Sequence, residues 1–319
     1  MRIGIVTPAP AGSLVGNRIT ALRWQTLLTR AGYSVEVNTQ LDHPAPDVLI
    51  ALHARKSART IAEFTGLFPD RPCVLVLTGT DLYEDIHRDP EAARSLELAH
   101  RLVVLQPYAI NEVPPALRTR VRVIFQSVEP IDLPRLPGDG FTVCVLGHLR
   151  PVKDPFRTAL AARLLPSHSR IRVLHVGEAL TPEMASQARE EERVNRRYHW
   201  LGGLPRTEAL KHLASSDLFS LTSWMEGGAN AVSEAVVLDV PVISSSISGS
   251  TGLLGADYPG LFPAGDTEAL ARLLYQAEID ASFLQSLRQR GRQVNALFSP
   301  QEEQKRLEAL LAEFGIQAD

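Results

Sequence analysis

Two glutamates eight residues apart flank a pair of glycines in Ser220-Leu-Thr-Ser-Trp-Met-Glu226-Gly-Gly-Ala-Asn-Ala-Val-Ser-Glu234-Ala, a stretch that reads as strand, loop and helix start. Gly227 and Gly228 let the backbone approach a ligand closely. The helix N-terminus at Gly228 offers free N–H groups and a partial positive charge, which suit a diphosphate. A carboxylate ahead of such a turn accepts hydrogen bonds from sugar hydroxyls, and one further into the helix does the same for a ribose diol. The spacing therefore spans a nucleotide sugar. Two acids in isolation are more often a loop carboxylate and a solvated helix residue, so the surrounding elements must decide.

Four further clusters hold chemistry at similar positions. Gly147-His148-Leu-Arg150-Pro-Val-Lys153-Asp154 follows a strand and supplies fixed positive charge at Arg150 and Lys153. Gly16 and Asn17 stand at a helix entrance after the first strand. Leu52-His53-Ala-Arg55-Lys56-Ser57 concentrates an imidazole, two cations and a hydroxyl at a helix N-terminus, a combination suited to a small anionic acceptor. Thr78-Gly79-Thr80-Asp81 closes the next strand. His53 alone reads as a satisfied loop histidine, but three polar clusters at three successive strand ends point to a site. Ser248-Gly-Ser-Thr251-Gly252 can lend N–H groups to phosphate, although a plain turn explains it nearly as well. Trp200 and Trp224 are of a type that stacks on a base, but aromatics in or beside strands are more often core, so neither is counted in the site.

Those loops need a scaffold. In the first half, short β-branched runs alternate with longer amphipathic ones from Ile3 to Ile124, the rhythm of βα units feeding a parallel sheet. Residues 129–140, rich in Pro and Gly without apolar period, read as a linker. The rhythm restarts at Phe141, and three helical segments close the chain, the last after the Ser299-Pro300 start signal. The expected organisation is an N-terminal acceptor-side domain over 1–128, a nucleotide-sugar domain over 141–298, and a C-terminal helix over 299–319 packing back on the first domain. Two open parallel sheets so joined face each other across a cleft between the carboxyl ends of their strands.

Composition narrows the partners. The chain has 319 residues, 33 Lys and Arg against 36 Asp and Glu, and a net charge of -3, so no long-range field favours nucleic acid. Cys73 and Cys144 lie in separate apolar runs, which suits buried free thiols in a reducing compartment. The start reads as a strand with no signal-length apolar segment, and no stretch approaches the ~20 apolar residues of a membrane span, so a cytoplasmic location without membrane association is expected. Gly-x-Gly-x-x-Gly is absent, which counts against a nicotinamide or flavin enzyme. No His-x-x-x-His or Cys-x-x-Cys spacing calls for a metal, and no cofactor is expected.

The Glu-x7-Glu stretch, followed by Ala235, a short helix and Pro241-Val242-Ile243-Ser244, resembles the donor site of the GT-B glycosyltransferases of family 4. The resemblance implies two doubly wound Rossmann-like domains, with Glu226 on the donor sugar and Glu234 on the nucleotide ribose. It implies diphosphate contacts from Gly147, Arg150 and Lys153, with His148 where arginine is usual, and a backbone contact to uracil near Leu204. Gly16, Thr251, Gly227, Gly228, Ala229 and Asn230 complete the donor set. The N-terminal stretches around Gly16–Trp24, Ala51–Ser57 and Leu77–Tyr83, with Gly147–Arg150 and Met225–Asn230, also resemble the selenosugar synthases of selenoneine biosynthesis. That likeness implies a UDP-N-acetylhexosamine donor and selenophosphate as the small anionic acceptor, held by Asn17, Arg55, Lys56, Thr80 and Asp81. Glu226, Arg150, Lys153 and His53 would then carry the chemistry. An ordinary family 4 transferase with an oxygen acceptor, and a catalytically silent nucleotide-sugar binder, are the alternatives.

Overall fold

The computed structural model describes residues 1–13, 16–42, 44–131, 133 and 140–317. Most of the expected linker, residues 132 and 134–139, and residues 14 and 15 of the first loop therefore lie outside the described residues. The chain divides into two compact units. The first comprises Met1–Ser127, Glu226–Gly228 and Leu297–Asp319; the second comprises Val128–Met225 and Ala229–Ala296.

The first unit is built on six parallel strands: β1 (Arg2–Val6), β2 (Ser34–Asn38), β3 (Val48–Leu52), β4 (Cys73–Val76), β5 (Arg101–Val104) and β6 (Val121–Val123), in the order β2-β1-β3-β4-β5-β6. Every residue of β3 and β4 is buried, and their near-continuous apolar runs are what a sheet covered on both faces requires. One face packs Trp24, Leu27 and Leu28 of the helix Gly16–Arg30 together with Leu307, Leu310 and Leu311 of the terminal helix Pro300–Ala312. The other face packs Ile61, Phe64 and Leu96.

A buried carboxylate fastens that terminal helix. Glu303 is fully buried, accepts from Trp24 Nε1 at 2.7 Å and from the Ser127 amide at 2.8 Å, and pairs with Arg23 at 3.0 Å. The Ser127 hydroxyl also donates to it. At the other end Glu313 meets Arg101 at 2.6 Å and Arg122 at 2.5 Å.

The second unit repeats the plan with β7 (Phe141–Leu146), β8 (Ile171–Val176), β9 (Tyr198–Trp200), β10 (Leu218–Leu221), β11 (Val242–Ser245) and β12 (Leu261–Phe262), all parallel, in the order β12-β11-β10-β7-β8-β9. The helices Thr267–Ile279 and Ala281–Val294 are capped by Asp266 and Asp280, whose side chains accept from amides of the first turn. The helix Arg157–Arg163 follows a short 3-10 turn, Pro151–Lys153, closed by Asp154 with a left-handed φ of 44°. Burial pushes the Cys73 and Cys144 thiols up to about 12, so neither is a nucleophile at neutral pH. Among the described residues no helix is long and apolar enough to cross a membrane.

Strand order reverses direction once in each sheet, between β1 and β3 in the first and between β7 and β10 in the second. In open parallel sheets the loops leaving the strands at that reversal diverge to opposite faces and open a crevice for ligand. The described parts of those loops are residues 7–13 and 53–57 in the first unit, and 147–154 and 222–225 in the second.

Candidate active site

The two loops at the reversal in the second unit are tied to each other. The Trp224 amide donates to the Val152 carbonyl at 2.9 Å, and the Thr222 hydroxyl is shared between the carbonyls of Lys153 at 3.1 Å and Asp154 at 2.9 Å. A small cavity opens where they meet, with Gly147, His148, Lys153, Ser220 and Thr222 in its wall.

Gly147 is held from behind. His175, fully buried in β8, lies with Nε2 3.1 Å from the Gly147 carbonyl and Nδ1 2.9 Å from the Tyr198 hydroxyl. A carbonyl only accepts, so Nε2 carries the proton and Tyr198 donates to Nδ1. Burial lowers the imidazole pKa to about 4, which keeps it neutral. Gly177 completes the support, since a Cβ there would lie 1.8 Å from the Gly147 oxygen. His148 accepts from the Glu178 amide at 3.2 Å, and burial, reinforced by Arg150 and Lys153 against Glu178, lowers its pKa. Positive charge in this loop therefore rests with Arg150 and Lys153, both half-buried.

Glu234 lies in the helix Asn230–Val237 and is only 4% exposed, against the expectation for a solvated helix acid. Its Oε1 pairs with Arg206 Nη1 at 2.5 Å. Leu204 sits just ahead of Arg206, in a stretch anchored by Leu201 N–H to the His175 carbonyl and by Gly177 N–H to the Gly202 carbonyl. Thr251 needs correction as a donor-site residue. It lies inside a helix, Ser248–Leu254, where its amide donates to the Ile247 carbonyl and its hydroxyl donates to Ile247 and Ser248, so neither hydrogen is offered to phosphate. Trp200 donates Nε1–H to the Gly177 carbonyl, whereas Trp224, expected in the core, is 51% exposed and lies against Gly265.

In the first unit, β1, β3 and β4 are adjacent and parallel, so the loops after them share one sheet edge. Gly16 and Asn17 open the helix Gly16–Arg30, and a Cβ at Gly16 would meet only open space. His53, buried and in a left-handed conformation with φ 78°, has Nε2 3.5 Å from Thr80 Oγ1 and 3.9 Å from Asp85 Oδ2. Arg55 pairs with Asp85 at 3.2 Å, and Arg55 and Lys56 are exposed.

One assignment in this unit changes. Asp81, expected to contact the acceptor, is fully buried; its carboxylate accepts from the amides of Ala54, Thr78 and Gly79 and from the Thr78 hydroxyl, and so binds two loops together. The Ser57 hydroxyl donates to the Leu52 carbonyl at 2.7 Å. Glu226, Gly227 and Gly228 group with this unit: a Cβ at Gly227 would lie 2.3 Å from the Thr78 carbonyl oxygen, and one at Gly228 2.6 Å from Leu105 Cβ. Glycine is required at both positions for the turn to lie this close. Glu226 itself is half-buried.

The sequence profile of the glycosyl transferases group 1 matches residues 132–294, just over half of the chain of 319, and the chain belongs to that family. The fold is accordingly GT-B. Sucrose-phosphate synthase from Thermosynechococcus elongatus is similar at 18% identity, with 98% of this chain and 99% of that one covered and a TM-score of 0.79. HepE of Anabaena in complex with UDP and glucose gives 17% identity, 98% and 100% coverage and a TM-score of 0.76. A glycosyltransferase from Rickettsia africae gives 14%, 98% of each chain and 0.68. No curated protein matches the sequence.

His175, Gly177 and Arg206 were missed in the sequence reading. Gly177 directly follows a strand, as Gly147 does, and this parallel was the available signal.

Proposed function

We propose that this member of the family uses a UDP-N-acetylhexosamine donor and selenophosphate as acceptor, forming a carbon–selenium bond. In this reading Glu234 meets the ribose diol, the Gly147 loop with Arg150, Lys153 and the amides at Asn230 meets the diphosphate, and Glu226 meets the sugar. HepE, which binds UDP and glucose on the same fold, supports a nucleotide-sugar donor.

The state of His53 carries the choice of an anionic acceptor. Its Nδ1 accepts a long hydrogen bond of 3.4 Å from the Lys56 amide, and burial is the largest influence lowering its pKa, with Lys56 and Arg55 adding to it against Asp81 and Asp85. A neutral imidazole so held keeps its proton on Nε2, facing Thr80. The ring then donates; its basic nitrogen is turned to the backbone and does not deprotonate an alcohol. An acceptor that is already an anion needs a donor and cations to position it, and no general base. Arg55 and Lys56 beside His53 fit that need.

The reaction balances without a further reagent until its last step. A selenium lone pair attacks C1 as the C1–O bond to the diphosphate breaks, and UDP departs with that electron pair. Arg150 and Lys153 stabilise the charge growing on the leaving oxygen. Water then cleaves the Se–P bond, releasing phosphate and leaving the selenosugar. The test is incubation with UDP-N-acetylglucosamine and selenophosphate, followed by UDP release and mass spectrometry. UDP and a selenium-bearing sugar in equal amounts are expected. UDP release with sugar acceptors but none with selenophosphate would transfer the reading to an ordinary oxygen acceptor, and UDP binding without any turnover would make the chain a silent binder.

A further inference from the structure

The pairing of Arg206 with Glu234 has no counterpart in local sequence. The helices Arg206–Ala214 and Asn230–Val237 pack beside each other in the second unit, and the contact at 2.5 Å ties the first residue of one to the middle of the other. The two partners are unequal: the Glu234 side chain is 5% exposed and the Arg206 side chain 43%. An ion pair between a buried carboxylate and a half-exposed cation is a poor source of stability, because desolvation of the acid offsets most of the attraction. Such a pair is better explained by what the acid must do. A guanidinium is planar and presents a fixed fork of donors, so it sets the plane of the carboxylate it meets. Its place in the chain adds to this. Arg206 is two residues from Leu204, just after residues 201 and 202, which the amides of Leu201 and Gly177 anchor to the end of β8.

We propose that Arg206 is a positioning residue: it orients the Glu234 carboxylate toward the ribose diol, and so makes the site prefer a ribonucleotide to a 2′-deoxyribonucleotide. The inference rests on the assignment of the ribose to Glu234. It differs from a structural role, which would lower stability without distinguishing two ligands that differ by one hydroxyl.

Calorimetric titration of the full chain with UDP and with 2′-deoxy-UDP tests it, using wild type, Arg206→Ala, Arg206→Lys and Glu234→Ala. Loss of the orienting partner should weaken UDP about tenfold and 2′-deoxy-UDP less than about threefold, with Arg206→Lys in between. Equal weakening of both ligands, or no weakening of either, overturns the proposal. Should Glu234→Ala abolish the preference for UDP while Arg206→Ala keeps it, the role of Arg206 fails and the ribose assignment stands. An unchanged preference in Glu234→Ala removes the ribose assignment itself. Arg206→Gln replaces the alanine variant in the same comparison if that variant does not fold.

Discussion

Acidification should destabilise this protein through His175, and His175→Gln should remove that part of the loss. In the unfolded chain the imidazole takes up a proton near its ordinary value of 6.5, whereas in the folded protein burial holds its pKa at about 4. Between these values the unfolded state binds more protons, so folding stability is fully present above 6.5 and falls as pH drops toward about 4. Below that both states are protonated and no further loss arises from this group. At pH about 5 the unfolded imidazole is almost wholly protonated and the folded one about a tenth protonated, a difference of about 2 kcal/mol. The group is completely buried, so solvent screening does not reduce the figure. Urea unfolding at pH about 7.5 and pH about 5, in wild type and in His175→Gln, measures it. His53, His100 and His148 also have lowered pKa values and contribute to acid sensitivity in both proteins, so the difference between the two profiles isolates His175. Parallel profiles would refute the account of a neutral imidazole bridging Tyr198 and Gly147.

Gly177→Ala places a Cβ 1.8 Å from the Gly147 oxygen and 3.0 Å from the His148 nitrogen. The loop must shift, so a stability loss of about 1–3 kcal/mol is expected with UDP affinity reduced at least about tenfold; calorimetry giving an unchanged Kd would show that the Gly147 loop does not bind the diphosphate. Glu303→Ala strands the buried donors of Trp24 and Ser127 and leaves Arg23 without its carboxylate, and should cost about 3–5 kcal/mol in denaturant unfolding, more than Glu303→Gln, which keeps an accepting oxygen.

Local order was legible because it is written in local signals. Alternating apolar runs mark strands, Ser299-Pro300 marks a helix start, and glycines at strand ends mark the loops that carry Gly147, Gly227 and Gly228. The types and spacing of Glu226 and Glu234, with the cations at Arg150 and Lys153, raised the expectation of a nucleotide-sugar site, and the likeness of the surrounding stretch to a GT-B donor site, not the two acids alone, carried it. Tertiary structure decided which polar groups remain available for a ligand. Asp81 and Thr251 have the right type at the right strand ends, yet the first is enclosed by amides of neighbouring loops and the second donates along its own helix. Conversely His175 and Arg206 look ordinary in sequence and gain their partners from strand order, which sets β8 beside β7 and so brings His175 up to Gly147, and from the helix packing that brings Arg206 to Glu234. A hydrogen bond is satisfied by whichever partner the fold brings near, however distant in the chain, and no periodicity or spacing records that choice.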